Sequence, residues 1–168
     1  MSDVSREILD FWERTKAAVG VEGLGDWPAN TVPDVSDFGD GPELSDRLLG
    51  LVLSGVKTGT SATIGEYEAY GETIPNVGDL VVFTDWQGVP RALVRETAVV
   101  IVPFDEVTAK FAYTEGEDDR SLESWREGHE RYWRRSLPQG LKFDPKMLVV
   151  CENFEVIYQE AGPSADDH

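Results

Sequence analysis

An amphipathic helix followed at once by a glycine-bounded turn is the feature that most constrains this chain. Residues 42–54 carry apolar side chains at the helical spacings i, i+4, i+7 and i+8, namely Leu44, Leu48, Leu51 and Val52. Pro42 suits the first helical turn, and Gly55 suits the left-handed residue that ends many helices. The next residues, Lys57-Thr58-Gly59-Thr60, are therefore expected on a tight loop that directs a cation and a hydroxyl group towards one pocket.

The lysine and threonines of this loop also have an ordinary structural interpretation. A solvated lysine and a turn-stabilising threonine are common in loops, and spacing alone favours that interpretation. A phosphate-binding P-loop is excluded, because the order Gly-x-x-x-x-Gly-Lys-Ser/Thr is absent and the loop follows a helix rather than a strand.

The composition is that of one globular domain with a strongly acidic surface. The chain has 168 residues, of which 40% are apolar, and this is enough for a substantial core. It carries 32 acidic and 15 basic residues, a formal net charge of −17. Such a charge repels phosphate backbones, so no binding to duplex nucleic acid is expected. A small positive pocket could still accept a nucleotide or a short single strand.

The remaining composition indicates neither a metal centre nor a membrane segment. Cys151 lies in an apolar run, where a buried small hydrophobe is its default role and a catalytic thiol the minor alternative. Two histidines and one cysteine, widely separated, form no recognisable zinc site, so no metal or other cofactor is expected. Neither a signal peptide nor a bilayer-spanning stretch is apparent. A soluble, cytoplasmic protein without membrane association is therefore predicted.

The periodicity of the sequence predicts an α+β domain. Helices are expected at residues 2–18, 42–54, 104–113 and 121–135, and strands at 80–84, 91–102 and 148–158. Residues 62–70 fit either a strand or a short helix, and residues 21–41 fit an arm that wraps the body. Few strands with helices before and between them favour a small curved sheet or barrel. The predicted divisions are an N-terminal helix and arm (1–37), a main domain (38–158) and a disordered acidic tail (159–168).

Several motifs occur in the order found in one known family. They are Phe38-Gly39-Asp40-Gly41-Pro42-Glu43-Leu44, Leu51-Val52-Leu53-Ser54-Gly55-Val56-Lys57-Thr58-Gly59-Thr60, Val77-Gly78-Asp79, Val102-Pro103-Phe104-Asp105-Glu106-Val107, Phe111-Ala112-Tyr113-Thr114-Glu115-Gly116-Glu117, Arg120-Ser121-Leu122-Glu123-Ser124-Trp125-Arg126 and Val149-Val150-Cys151-Glu152-Asn153-Phe154. On these residues the chain resembles the ASCH domain family, and most of all its bacterial branch with an extra N-terminal helix. The resemblance implies an α+β fold, a PUA-like small β-barrel with flanking helices.

The resemblance also implies a candidate site. Some family members are RNA-binding modules, one is a ribonuclease, and a small bacterial member is an amidohydrolase that deacetylates N4-acetylcytidine. That enzyme uses a lysine, a threonine three residues later and a glutamate in the later helical segment. Carried over, the catalytic residues are Lys57, Thr60 and Glu115. The implied ligand is a small-molecule nucleoside or a short single-stranded RNA.

Neighbouring residues complete the predicted pocket. Substrate contacts are expected from Thr58, Ser61, Tyr67 and Tyr70, with the two tyrosines as stacking partners for a base. Many family members have an arginine where this chain has Ala62, and an arginine is a natural partner for phosphate or a planar base. Its replacement weakens the expectation of RNA binding.

The chemistry implied by these residues begins with a lysine that loses its proton. A neutral Lys57 would activate Thr60 to attack an amide carbonyl, giving an acyl-threonine that water hydrolyses. Glu115 would orient the lysine or protonate the leaving amine. Burial lowers a lysine pKa and an adjacent carboxylate raises it, so the two effects compete. Two alternatives stay open: a non-catalytic binding module, and a ribonuclease that uses a metal or this lysine. For Glu115, a solvated acid at a helix end is the ordinary interpretation.

Overall fold

The computed structural model describes residues 5–39 and 41–161 and shows an α+β fold, as predicted. Its α-helices are α1 (Arg6–Gly23), α2 (Pro42–Leu53), α3 (Ile64–Ala69), α4 (Ala109–Glu115) and α5 (Leu122–Ser136). Its strands are β1 (Asp34–Ser36), β2 (Gly59–Thr63), β3 (Leu80–Thr84), β4 (Pro90–Pro103) and β5 (Leu148–Gln159). They form a sheet in the order β1-β3-β4-β5-β2. None of the described helices is long and apolar enough to cross a membrane.

The described residues of 5–55, 78–96 and 155–161 make up one compact unit. In it α1 starts at Ser5, whose hydroxyl accepts a hydrogen bond from the amide of Ile8 at 3.2 Å. Strand β1 runs parallel to β3, and β3 is antiparallel to β4. The core of this unit consists of buried apolar side chains of α1, the following loop and the two longer strands: Ile8, Phe11, Trp12, Leu24, Leu80, Val82 and Leu93.

Residues 56–77 and 97–154 make up the second unit, which contains all the predicted site residues. Strands β2 and β5 are antiparallel, with Thr60 opposite Glu152 and Ser61 opposite Cys151. Helices α4 and α5 pack through a largely aromatic core, made of Phe104, Val107, Phe111, Ala112, Trp125, Trp133, Val149 and Cys151. Trp125 and Trp133 are the residues that α5 contributes to this core.

The structure resolves the ambiguity that the sequence left at residues 62–70. Strand β2 ends at Thr63, and α3 begins directly after it. Thr63 caps that helix, since its hydroxyl accepts from the Glu66 amide at 3.1 Å and the Glu66 carboxylate accepts from the Thr63 amide at 2.9 Å. The loop expected around Lys57 is correspondingly shorter than predicted, because Gly59 and Thr60 already belong to β2.

Larger differences from the prediction occur in α1, in the segment 104–113 and at one missed strand. Helix α1 breaks at Gly20, where φ is +72°, but a further helical turn reaches Gly23. The segment 104–113, predicted as one helix, forms a 3₁₀ turn at Phe104–Glu106 and then α4. Strand β1 has three exposed residues and therefore no alternating pattern that could have predicted it.

The ends of the chain are described only in part. Glu160 accepts two hydrogen bonds from the Arg14 guanidinium, at 2.8 and 2.9 Å. Residues 162–168 of the predicted acidic tail lie outside the described residues, as do residues 1–4 and residue 40.

Candidate functional site

A buried lysine contacts two carboxylates at the centre of the predicted site. The Lys57 ammonium donates to Glu115 Oε1 at 3.1 Å, to Glu117 Oε2 at 3.0 Å and to the Glu115 carbonyl at 3.3 Å. The side chains of Lys57 and Glu115 are each 2% exposed, whereas that of Glu117 is 26% exposed. Lys57 and Glu115, two of the three predicted catalytic residues, are therefore brought together, and a lysine has three N–H donors for these three acceptors.

The end of α4 places the carboxylates on the lysine. Glu115 is the last residue of α4, and Gly116 caps the helix in the left-handed conformation with φ +72°. A Cβ atom on Gly116 would lie 2.7 Å from the Val56 carbonyl oxygen and 3.0 Å from Lys57 Cα, so only glycine fits this approach. The Thr58 amide also donates to the Thr114 carbonyl at 2.7 Å. The backbone on either side of Lys57 is thus fixed against the helix terminus.

The second carboxylate oxygen of Glu115 is equally well partnered. Glu115 Oε2 accepts from Ser61 Oγ and from Trp125 Nε1, both at 2.6 Å, and lies 3.3 Å from His129 Nε2. The His129 ring stacks on the Trp125 indole with 4.2 Å between ring centroids, and its Nδ1 lies 2.9 Å from the Trp125 carbonyl oxygen. This network holds Glu115 in one orientation.

The charges of this network keep Lys57 protonated. Burial lowers the pKa of Lys57, but the negative charges of Glu115 and Glu117 outweigh it, and the pKa is raised above its ordinary value. Burial raises the pKa of Glu115, but the charges of Lys57 and His129 dominate and hold it well below its ordinary value. The competition that the sequence left open is therefore won by the carboxylates in this arrangement.

The other two ionisable groups have pKa values that move upwards. Burial, and then the nearby charge of Glu115, raises the pKa of Glu117 despite its contact with Lys57. Burial lowers the pKa of His129, but the carboxylate of Glu115 more than compensates and the pKa is raised. Glu117 is both the more exposed carboxylate on Lys57 and the one that accepts a proton more readily.

Thr60 adjoins Ser61 in β2 but is paired with a different residue of β5. Successive strand residues alternate between faces, and Ser61 is the residue whose side chain reaches Glu115. Within the described chain, the Thr60 hydroxyl makes no hydrogen bond to Lys57 or Glu115. Thr60 is paired instead with Glu152, directly opposite on β5. Of the three predicted catalytic residues, Thr60 is thus the one without a described hydrogen bond to the other two.

Glu152 forms a second polar contact on the face of Thr60. Its Oε1 accepts from the Tyr67 hydroxyl at 3.0 Å, and the residue is 7% exposed. Burial raises the pKa of Glu152 to about 7, and the negative charges of Glu115 and Glu72 add to this. Of the predicted pocket residues, Tyr67 thus has an ionisable partner.

The other residues considered in the sequence analysis are Thr58, Tyr70, Ala62 and Cys151. Thr58 is held by its backbone, whose carbonyl accepts from the Phe154 amide at 3.0 Å. Tyr70 is 60% exposed at the end of α3, and Ala62 is paired with Val150 in the ladder between β2 and β5. Cys151 is buried, and burial raises the pKa of its thiol to about 12, which agrees with a structural rather than nucleophilic role.

Three participants were not predicted from the sequence: Glu117, Trp125 as a hydrogen-bond donor, and His129. Their signals were present but weak, because Glu117 lies in an acidic run and His129 follows Trp125 by four residues, a spacing also typical of a packed helix face. Glu115, Glu117 and His129 present potential metal-ligand atoms that all lie within 4.8 Å of one another. The Lys57 ammonium already contacts both carboxylates and offsets one of their two negative charges.

Comparison with known proteins places this fold in one family. The ASCH domain model matches residues 34–158. An ASCH domain crystal structure from Lactobacillus crispatus JV V101 is 28% identical, with a TM-score of 0.82 over 95% of this chain and 99% of that one. The protein EF3133 from Enterococcus faecalis V583 is 35% identical, with a TM-score of 0.77 over 90% of this chain and 88% of that one.

No curated protein sequence matches the chain. The likeness to ASCH structures confirms the predicted fold class, an α+β domain of the PUA-like type. Because the family model covers most of the sequence, the chain belongs to the ASCH domain family.

Proposed function

We propose that this ASCH domain is an amidohydrolase that removes the acyl group from an N-acylated nucleoside of the N4-acetylcytidine kind. The observation that carries the proposal is the buried contact of 3.1 Å between Lys57 and Glu115, the two residue types that the family resemblance assigns to catalysis. Ionisable groups with strongly shifted pKa values in a buried cluster are typical of active sites. The partly exposed Glu117 gives the cluster a partner that a substrate can replace.

In this proposal Lys57 acts as a cation rather than as a base. Its raised pKa and its three protein acceptors oppose the loss of a proton. The amide carbonyl oxygen of the substrate takes the position of the Glu117 carboxylate on the Lys57 ammonium. The ammonium then polarises the carbonyl and stabilises the negative charge that develops on its oxygen. Glu115 holds the ammonium in place throughout.

Glu117 moves the proton in this scheme. Once displaced from Lys57, its carboxylate accepts the proton of the attacking hydroxyl group and passes it to the leaving nitrogen as the carbon–nitrogen bond breaks. The products of this step are the amine and an acyl ester on the enzyme, which water hydrolyses to the free acid. A carboxyl with a raised pKa suits a group that must both accept and donate a proton near neutral pH.

Two adjacent hydroxyl groups compete for the role of nucleophile. Thr60 is the residue that the resemblance assigns, whereas Ser61 is the residue whose hydroxyl lies on Glu115. We retain Thr60, which follows Lys57 by three residues, as the proposed nucleophile.

The test is hydrolysis of N4-acetylcytidine and a small panel of N-acylated nucleosides, followed by chromatography. Lys57→Met and Glu117→Gln should lose most of the turnover, by about a hundredfold or more, since each removes a proposed catalytic group. Lys146→Met is the matched control, because Lys146 is 75% exposed and pairs only with Asp105 among the contacts described. Equal activity in Lys57→Met and Lys146→Met would refute the proposed role of Lys57.

A non-catalytic module that binds a modified nucleoside is the second candidate. It is favoured by the three protein acceptors of Lys57, which form a complete resting network without a substrate. Calorimetric binding of a panel member by folded protein, without turnover, would select it. The net charge of −17 and Ala62 in place of the family arginine make strong binding of single-stranded RNA the less favoured form of this candidate.

A ribonuclease is the least supported of the three predicted functions. Acid–base cleavage of RNA commonly needs two titrating groups on either side of the phosphate. Among the described residues the histidine available is His129, and it already lies 3.3 Å from Glu115. RNA cleavage by wild-type protein that Lys57→Met abolishes would reverse this ranking.

A further inference from the structure

Residues 116–120, which follow α4, pack against the backbone around Lys57 and have an unusual conformation. Gly116 packs against the Val56 carbonyl, and Glu117 then reaches the ammonium at 3.0 Å. Asp118 and Arg120 both have positive φ angles, +52° and +66°, although neither is glycine. Residues with side chains rarely adopt this conformation, and it persists where surrounding contacts determine it. The contacts of the side chains should therefore explain it.

Arg120 makes those contacts on both sides of the site. Its Nε donates to the Tyr113 carbonyl at 3.1 Å, and its Nη2 donates to the Val56 carbonyl at 3.3 Å. The guanidinium also lies 3.6 Å from the centroid of the Tyr113 ring. Val56 directly precedes Lys57, and Tyr113 belongs to α4, which carries Glu115. One side chain thus joins the lysine segment to the helix that holds its carboxylate.

We infer that Arg120 is a positioning residue that fastens residues 116–120 across Lys57 and so keeps Glu117 on the Lys57 ammonium. The effect on catalysis rests on the proposed amidohydrolase function. The closure, by which we mean the packing of residues 116–120 over Lys57, does not. Release of Arg120 lets the segment lift, separates Glu117 from Lys57 and opens the ammonium to a ligand. Arg120 therefore sets how readily the substrate replaces Glu117.

The side chain at position 120 has to be arginine for this role. Its planar guanidinium donates to two carbonyls in different directions and also stacks on an aromatic ring. A lysine ammonium cannot make all three contacts. A glycine would adopt a φ of +66° without strain, so backbone conformation alone would favour glycine here. The arginine is explained by its contacts with Val56 and Tyr113, rather than by the turn.

Chemical acetylation of lysines, mapped by peptide mass spectrometry, tests the closure without any need for catalysis. In wild-type protein Lys57 should react far more slowly than Lys146, which is 75% exposed. In Arg120→Ala the ratio of Lys57 to Lys146 reactivity should rise about tenfold or more, since an open state then dominates the labelling. Arg120→Gly should show the same rise in this ratio, although a glycine adopts the backbone conformation at position 120 without strain. Arg134→Ala is the matched control, because Arg134 is 59% exposed and pairs with Glu130 on the same helix.

Arg120→Lys keeps the charge and provides the rescue variant. It should lie between the wild type and Arg120→Ala, because a single ammonium recovers one of the two carbonyl contacts. If Arg120→Ala does not fold, as judged by circular dichroism, Arg120→Gly and Arg120→Lys carry the test. An unchanged ratio of Lys57 to Lys146 reactivity in the folded variants would overturn the inference.

Turnover of the acylated nucleosides, measured on the same proteins, separates this inference from the proposed function. With both correct, Arg120→Ala lowers kcat by about tenfold, and Arg120→Lys recovers part of it, because Lys57 and Glu117 lose their alignment. Faster labelling of Lys57 with no turnover even in the wild type would support the closure and reject the hydrolase. Turnover in the wild type with unchanged labelling in the Arg120 variants would reject the closure and keep the hydrolase.

Discussion

The Lys57 ammonium lies 3.1 Å from Glu115 Oε1, and both side chains are only 2% exposed. Moving two such charges out of water costs several kcal/mol per ion, and their attraction seldom returns more than this. A buried ion pair is therefore weak evidence of a stability role. The pair requires another explanation, and the proposed chemistry at Lys57 supplies one.

Removing one partner of this pair should strongly destabilise the fold. In Glu115→Gln the Lys57 charge remains buried with one carboxylate fewer, and Ser61, Trp125 and His129 lose their charged acceptor. We expect a loss of about 3–5 kcal/mol in the free energy of unfolding, measured by urea denaturation. Adding Lys57→Met to Glu115→Gln should recover much of this loss, because the buried ammonium is gone and the carboxylate left without it, Glu117, is partly exposed.

An exposed ion pair provides the control for that measurement. Arg134 and Glu130 are 59% and 42% exposed, with their charged atoms 2.9 Å apart. Glu130→Gln should change the free energy of unfolding by less than about 1 kcal/mol. Similar losses in Glu130→Gln and Glu115→Gln would contradict the assignment of Glu115 as the buried counter-ion.

The close approach of Gly116 to the lysine segment predicts a position-specific glycine effect. In Gly116→Ala the new Cβ meets the Val56 carbonyl oxygen at 2.7 Å in addition to the strain of φ +72°. Gly71 has a similar φ of +65° but nothing within 4 Å of a Cβ. Thermal denaturation should show a loss of about 1 kcal/mol for Gly71→Ala and about 3 kcal/mol or more for Gly116→Ala. Equal losses in the two variants would show that the backbone near Val56 shifts to accommodate the new Cβ at no additional cost in free energy.

The raised pKa of Glu152 predicts a pH dependence of stability. Burial shifts this carboxyl from an ordinary value of 4.5 to about 7, so the folded chain binds its proton more tightly than the unfolded chain does. The stabilisation that this proton on Glu152 contributes to the folded state is complete below about pH 4.5 and is lost as the pH rises through about 7. Its full size is on the order of 3 kcal/mol. The groups facing it are Tyr67, Glu115 and Glu72.

Glu152→Gln isolates this contribution. Between pH 5 and 8, the free energy of unfolding of the wild type should fall relative to that of this variant as the pH rises. Glu72→Gln is the matched control, because it removes a nearby exposed charge but leaves the buried carboxyl in place. A difference that stays constant over this range would show that Glu152 ionises normally.

The sequence predicted the secondary structure around the site better than the site itself. Periodic runs such as Pro42–Leu53 and Leu122–Ser136 predicted their helices to within one residue, because amphipathic patterning reports burial directly. The contact between Lys57 and Glu115 joins residues 58 positions apart and came only from the family resemblance. The role of Glu117 was hidden because its acidic neighbours look like a solvated loop.

Local spacing predicted the surroundings of Thr60 least completely, because it did not predict strand β2. Lys57 and Thr60 were expected to face one pocket, on the assumption that both belong to a loop. The structure places Gly59 and Thr60 in β2, where a change of one residue changes the face. Ser61, predicted to contact substrate, is the residue that reaches Glu115 instead. Strand alternation could not be applied in advance, because residues 62–70 fitted both a strand and a helix.

This difference between Thr60 and Ser61 gives the sharpest prediction for the proposed hydrolase. With Thr60 as nucleophile, Thr60→Ala should lose nearly all turnover of N4-acetylcytidine while binding persists, and Thr60→Ser should keep part of it because the hydroxyl remains. Ser61→Ala should then act only through Glu115, with a loss of about tenfold or less, since one of several hydrogen bonds to that carboxylate disappears.

The opposite ranking would move the nucleophile by one residue. If Ser61→Ala abolishes turnover and Thr60→Ala does not, the attacking hydroxyl is the one that lies 2.6 Å from Glu115. Mass spectrometry of the enzyme, quenched during turnover, would then find the acyl group on Ser61 rather than on Thr60. An active enzyme with no acyl group on either residue would reject the covalent step and require direct attack by water, with Glu117 as the base that accepts its proton.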